Sequence, residues 1–115
     1  MLVRIDHSAV TPLYAQIVAE VRAGVASGTI PEGQRLPAAR DLAESLDVNM
    51  HTVLRAYAAL KEEGLLQVRQ GRGAVVAKGG KKEAGRLHRI GTRLLDGARD
   101  QGLSKDDLLA LIQRM

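Results

Sequence analysis

The sequence contains no cysteine, no phenylalanine and no tryptophan. Without thiols it can form neither a disulfide nor a thiolate metal site, and it has no cysteine nucleophile; such a composition suits a reducing compartment. Aromatic residues amount to 2%, namely Tyr14 and Tyr57, so the core must be built from Leu, Val, Ile and Ala. No apolar run approaches the roughly 18–20 residues that a membrane span needs. The first residues also lack the basic-then-apolar pattern of a secretory signal. A soluble, cytoplasmic protein with no membrane partner is expected. His7 and His88 have no carboxylate or second histidine at ligand spacing, so both read as structural or surface residues and no metal is expected. No Ser/His/Asp arrangement suggests catalysis. Gly71-Arg72-Gly73 is not a phosphate loop, because the following Lys-Ser/Thr and the strand-to-helix placement are missing. Neither an enzyme nor a cofactor is expected.

What is present is 115 residues, 45% hydrophobic and 26% charged. Domains commonly run to roughly 100–150 residues, so one globular unit with a short appendage is the natural organisation. The formal net charge is +4. It is unevenly placed: residues 1–77 hold eight Lys/Arg and eight Asp/Glu, whereas 78–115 hold nine and five. A basic total suggests a polyanionic partner. Here the whole excess lies in the last third, so the case for such a partner must rest on individual positions.

Leu2-Val3-Arg4-Ile5 alternates as a short strand or an extended arm would. Thr11 before Pro12 suits an N-cap followed by proline at the first helical position. Leu13, Ile17, Val21 and Val25 then recur every four residues, with Val18 beside them, as on an amphipathic helix. Gly28 suits a left-handed cap, and Pro31-Glu32-Gly33 a turn. Leu36-Pro37 leads into a short helix with Leu42, Ala43 and Leu46 on one face. Asp47-Val48-Asn49 breaks it, and Asn49 can cap the next helix, which runs to about Glu63. Val53, Ala56, Tyr57 and Leu60 form the buried stripe of that helix, so Tyr57 reads as core rather than as a stacking platform. Leu65 to Arg69 and Ala74 to Ala77 read as strands joined by a hairpin at 70–73. Lys78 to Lys82 is polar and contains glycines, as a linker would. Two further helical patterns follow. The first carries Leu87, Ile90, Leu94 and Ala98. The second opens at Ser104, with Asp107 three residues on, and its apolar face holds Leu108, Leu111, Ile112 and Met115.

Two short helices joined by a tight turn make a helix-turn-helix unit. Its second helix can lie in a major groove with its N-terminal residues at base edges. Val48 and Val53 can lock the two helices together, which leaves the side opposite the Val53/Tyr57 stripe free to face a ligand. Asn49, Met50, His51 and Thr52 lead that helix, with Arg55 one turn later. Glycines on both sides of Arg72 let the hairpin approach a sugar-phosphate surface closely. The expected fold is mainly α with a small β-hairpin wing: a winged helix-turn-helix over 1–77, a linker over 78–82 and a two-helix tail over 83–115.

These residues resemble the DNA-binding domain of GntR-family regulators. The matching elements are Pro31-x-Gly33, Leu36-Pro37-x-x-Arg40-x-Leu42-Ala43, Val48-Asn49-x-x-Thr52-Val53, Arg55-Ala56-Tyr57, Leu60-x-x-x-Gly64-Leu65 and Gly71-Arg72-Gly73. They occur in the family's order between Pro12 and about Ala77. Asn49 to Tyr57 together with a short two-helix tail looks like the YtrA-type subgroup. The resemblance implies that Arg40 contacts a phosphate or base, and that Asn49, Met50, His51 and Thr52 stand at the groove-facing start of the recognition helix, followed by Arg55. It also implies that Gly71 and Arg72 bring the wing tip to the minor groove. Similar proteins bind inverted repeats of double-stranded operator DNA as homodimers. Two departures bear on the operator. Ala38 stands where the family usually has Ser, which removes a hydroxyl. Met50-His51 stands where the family often has Arg or a Pro-Asn pair, and Met50 can pack on a thymine methyl but cannot donate a strong hydrogen bond.

Each of these positions also has a plainer reading: Arg40 as a solvated helix arginine, His51 as a polar surface residue, Thr52 as a helix stabiliser and Arg72 as an ordinary hairpin residue. Lys82, Arg86, Arg89 and Arg93 form a basic stripe, either a solvated face or an added attraction for DNA. The tail helices are short enough to be marginal alone. Leu87, Ile90, Leu94, Leu108, Leu111 and Ile112 therefore need a covering surface, and a second subunit is the favoured one. A small-molecule effector, if one acts, would sit between those helices. The rival function is a winged-helix protein-interaction module that reads no operator. An acidic recognition helix would favour it, but Asn49 to Thr52 carry no acid. Similar winged helices also occur fused to pyridoxal-phosphate aminotransferase-like domains, for which 115 residues leave no room.

Overall fold

A computed structural model describes every residue except Met1, Leu2, Gln70 and Arg72. The chain divides into two compact units, Met1–Gly85 and Arg86–Met115. Among the described residues no helix is long and apolar enough to cross a membrane, and no group of three or more His, Asp or Glu is placed to hold a metal.

The first unit opens with an irregular segment in which Val3 is buried. Helix α1 (Leu13–Ser27) follows. Its N-cap residue is Pro12, not Thr11, and no side chain caps it. The Gln16 amide reaches back instead, donating to the Thr11 carbonyl (2.8 Å) and the Asp6 carbonyl (2.9 Å). Ile17, Val18, Val21 and Val25 are buried, as their spacing requires, and Gly28 closes the helix at φ 83°. In the last turn of α1 stands Gly24, where a Cβ would come within 2.5 Å of Ile30 Cδ1. The helix gives up some propensity there so that the returning chain can pack against it.

Helix α2 (Ala39–Leu46) and helix α3 (Met50–Glu62) are joined by the turn at Asp47, which takes a left-handed φ of 55°. A short polar side chain tolerates that conformation better than a branched one. Val53, Ala56, Tyr57 and Leu60 of α3 are buried, and α3 packs against both α1 and α2. Strands β1 (Leu66–Arg69) and β2 (Gly73–Val76) pair antiparallel, with Leu66 opposite Val76 and Arg69 opposite Gly73. The strands begin one residue away from the expected starts at Leu65 and Ala74. Residues 33–36 add a third edge beside β2: Leu36 N–H donates to Ala74 and Val76 N–H to Gln34, each at 2.9 Å. The result is a helix-turn-helix with a β wing.

Helix α4 (Gly80–Asp100) begins inside the stretch expected to be a linker, so residues 80–82 form its first turn. The cause is packing. Gly80 is buried, and a Cβ there would lie 3.2 Å from the Leu65 carbonyl oxygen and 3.4 Å from Val76 Cγ1. Glu32 also accepts a hydrogen bond from Gly79 N–H at 3.0 Å. A polar, glycine-containing composition therefore marks a close approach here and not a free tether.

In the second unit, the chain turns at Gly102 (φ 77°) and enters α5 (Lys105–Arg114). Ser104 and Asp107 form the full capping box: Asp107 N–H donates to Ser104 Oγ (3.1 Å) and Ser104 N–H to Asp107 Oδ2 (3.0 Å). Ala98 is buried, but no residue of α5 is. Ile90, Leu94, Leu111 and Ile112 stand about half exposed, and Leu87 and Leu108 are intermediate.

Candidate nucleic-acid interface

The start of α3 is built by its cap. Asn49 is extended (φ −68°, ψ 139°), and its side-chain oxygen accepts from His51 N–H at 2.8 Å. Capping occupies that oxygen and leaves the amide nitrogen of the exposed side chain for other partners. The first turn of α3 contains no acidic residue. No carboxylate of the first turn itself offsets the positive end of the helix dipole, while Glu44 and Asp47 stand in the hollow on its α2 side.

The expected contact residues do not form one row; they divide around the first turn of α3. Arg40 and Met50 share a hollow with Ala43, Glu44, Asp47 and Val48, between α2 and the start of α3. Met50 is half-buried there rather than fully outward. It lies three residues before Val53, so it continues the inward stripe at helical spacing. On the other side, His51, Thr52 and Arg55 share a groove with Pro12, Leu13 and Tyr14 of the α1 start. His51 and Arg55 are exposed and Thr52 is half-buried. Gly71 is exposed at the hairpin tip with φ 77°. Arg72, also expected at the wing tip, lies outside the described residues.

The two arginines of this face make no ion pair with any described residue, although Glu44 and Asp47 line the same hollow as Arg40. Arg22 and Glu63 form an ion pair, in which Arg22 Nε and Nη2 each meet a carboxylate oxygen. It ties α1 to the far end of α3. Arg40 and Arg55 make no ion pair with any described residue, and Arg55 places its Cζ 3.7 Å from the centroid of the Tyr14 ring.

Three residues of the face were not among the expected contacts. Tyr14 carries no sequence signal as either core or contact. Leu54 and Val68 are 45% and 62% exposed, and they flank a hollow between α3 and the wing with Arg35 and Lys61. Leu54 was legible, since it falls between the buried positions 53 and 56 and so must turn outward. Tyr57 does belong to the core. It is 9% exposed, its hydroxyl donates to the Pro37 carbonyl at 2.7 Å, and burial pushes its pKa up to about 12. His7 donates to the Leu46 carbonyl at 3.1 Å, a local tie at the end of α2.

Residues 13–76 match the family model described as "Bacterial regulatory proteins, gntR family". The chain is similar to the HTH-type transcriptional repressor YtrA of Bacillus subtilis, with 32% identity over 80 residues, 70% of this chain and 62% of that protein. It thus spans somewhat less than two thirds of that relative's length. Its structure is similar to that of YtrA from Sulfolobus acidocaldarius, a GntR-family transcription factor, with TM-score 0.63 and 36% identity over 96% of this chain and 93% of the other. It is also similar to AraR(DBD) solved in complex with operator ORE1, with TM-score 0.56 and 30% identity over 67% of this chain and 94% of the other.

Proposed function

We propose that this chain, which belongs to the gntR family of bacterial regulatory proteins, is a DNA-binding transcription regulator and acts as a repressor that binds an inverted-repeat operator as a homodimer. One observation carries the reading. The first turn of α3 carries no acidic residue, and to either side of it stands an arginine that makes no ion pair with any described residue, Arg40 on α2 and Arg55 on α3 itself.

In this reading α3 enters the major groove. His51 and the free amide of Asn49 meet base edges, and Met50 packs on a thymine methyl. Arg40, Thr52 and Arg55 contact the flanking phosphates, which set register and affinity but carry no sequence information. Gly71 and Arg72 bring the wing to the minor groove. The repressor name of one relative and the operator-bound state of another support the direction of regulation and the partner. The half-exposed Ile90, Leu94, Leu111 and Ile112, with Leu87 and Leu108 beside them, support a second subunit as their cover. A two-fold dimer then matches two half-sites one helical turn or a multiple apart.

Retardation of genomic fragments, titrated with salt, tests this. The parent is expected to shift DNA, with an affinity that falls steeply as salt rises. Arg40→Ala should weaken binding to all duplexes and lower the log–log salt slope by about 0.9 for each phosphate that a subunit no longer neutralises. Equal slopes for Arg40→Ala and the parent would remove Arg40 from the interface. No shift of any fragment would leave the protein-interaction module as the reading.

A further inference from the structure

We propose that Tyr14 is a positioning residue of the DNA interface: its ring holds the Arg55 guanidinium flat, so that the N–H edge meets a phosphate on the strand bordering the α1 side of the recognition helix. This rests on the reading of α3 as the DNA-contacting helix. It adds the start of α1 to an interface otherwise made of α2, α3 and the wing.

The observation is tertiary. Tyr14 lies in the first turn of α1 and Arg55 far along the chain in α3, yet the guanidinium carbon sits 3.7 Å from the ring centroid. That is well inside the range in which the ring quadrupole attracts a cation. The guanidinium is planar and all five of its donors lie in its plane. Stacking on a ring consumes one face and none of the donors, unlike an ion pair with a carboxylate. Among the described residues Arg55 makes no ion pair that would compete. Its charge is therefore both held in place and left available.

The surroundings agree with such a role. Arg55 follows His51 by one turn, so both lie on the outer face of α3. Pro12, Leu13 and Thr52 complete the shallow groove around them. The groove offers Arg55 as its cation, the Thr52 hydroxyl as a neutral donor, and no carboxylate. This is the donor set for a phosphodiester, whose charge is single and whose oxygens accept. Tyr14 is half-buried, so its ring is braced by the fold while Arg55 remains exposed. An arginine on a free side chain must be ordered when it meets a phosphate; one already stacked gives up less freedom per hydrogen bond formed. The plainer role of this stacking would be to glue α1 to α3, and the experiment separates the two.

The full-length chain is titrated with a short mixed-sequence duplex over a salt series, because phosphate contacts do not depend on sequence. Parent, Tyr14→Leu, Tyr14→Phe, Arg55→Ala, Arg55→Lys and the Tyr14→Leu/Arg55→Ala double variant are compared, each checked for parental circular dichroism. Arg55→Ala is expected to lower the salt slope by about 0.9 per subunit and to weaken binding several-fold at low salt. Tyr14→Leu should move in the same direction, Tyr14→Phe should match the parent because the ring and not the hydroxyl is used, and the double variant should equal Arg55→Ala. Arg55→Lys, which leaves Tyr14 in place but cannot stack as a planar fork, should also bind more weakly than the parent, and it carries the test if Tyr14→Leu does not fold. A Tyr14→Leu variant with parental slope and lower melting temperature would overturn the proposal in favour of helix packing, as would equal binding by Arg55→Lys and the parent. Absence of any salt-dependent binding by the parent would instead overturn the reading of α3 beneath it.

Discussion

Tyr57 serves the core and the motif with one side chain. Its ring lies in the buried stripe of α3, and its hydroxyl donates to the Pro37 carbonyl just before α2, at 2.7 Å. The bond fixes the entrance of one helix of the motif against the body of the other. Tyr57→Phe should keep the fold but lose roughly 0.5–1.5 kcal/mol, the net worth of one such hydrogen bond, in urea unfolding. The sign of its pH dependence is set by burial, which pushes the hydroxyl from 10.0 up to about 12. The folded state holds that proton more tightly, so the contribution is complete below 10.0 and is lost as pH rises through about 12. Urea midpoints of the parent should therefore fall across that window, and those of Tyr57→Phe should fall less. At this scale the sequence was legible at most positions that local chemistry decides, the cap of α1 excepted, where Pro12 and not Thr11 stands. Asn49 caps α3, Gly28 closes α1 and Tyr57 is core. It was illegible where a distant residue decides. Nothing between positions 14 and 55 signals that Tyr14 and Arg55 meet.

At the scale of elements, every helix and both strands followed from periodicity and stop signals, with ends moved by a residue or so. The exception is the start of α4. Lys78 to Lys82 carries the composition of a tether, but buried Gly80 packs on Leu65 and Val76, so helix begins at residue 80. Composition reports solvent preference, and it cannot report a packing partner supplied by the wing. The capping box of α5 was legible, because Ser104 and Asp107 stand three apart before an apolar run. It makes α5 sensitive to acid. Hydrogen bonds from Ser104 lower the Asp107 carboxyl below its usual 3.8. A lowered folded value means that the contribution is present above 3.8 and is lost as pH falls through the folded value. Amide protection along α5, taken relative to the intrinsic exchange rate at each pH, should fall on acidification past 3.8, and more steeply in the parent than in Asp107→Asn, which should already be less protected near neutrality. Identical exchange in the two proteins at all pH values would show that the cap contributes nothing to α5.

For the whole molecule, the division of charge matters as much as its sum. The excess of +4 belongs to residues 78–115, while residues 1–77 are neutral overall. In the proposed reading, DNA attraction by the winged helix therefore rests on where Arg40 and Arg55 are placed, while the basic stripe of Lys82, Arg86, Arg89 and Arg93 belongs to α4. The tail's apolar residues lack a cover within Arg86–Met115, where Ala98 is the buried side chain among the described residues. If a second copy covers them, Leu94→Glu with Leu111→Glu should convert a dimer to a monomer in sedimentation, and DNA affinity should drop because two linked half-site contacts become one. A variant that sediments as the parent does would place the subunit contact elsewhere. The claim on which all of this turns is that the outward first turn of α3 chooses the DNA sequence. The most direct measurement is selection of bound fragments from the source genome by the parent and by His51→Ala, side by side. The parent is expected to enrich one inverted repeat, and His51→Ala to bind still but relax the preference at matching positions in both half-sites. Enrichment of the same repeat by both proteins, with no position relaxed, would contradict that claim.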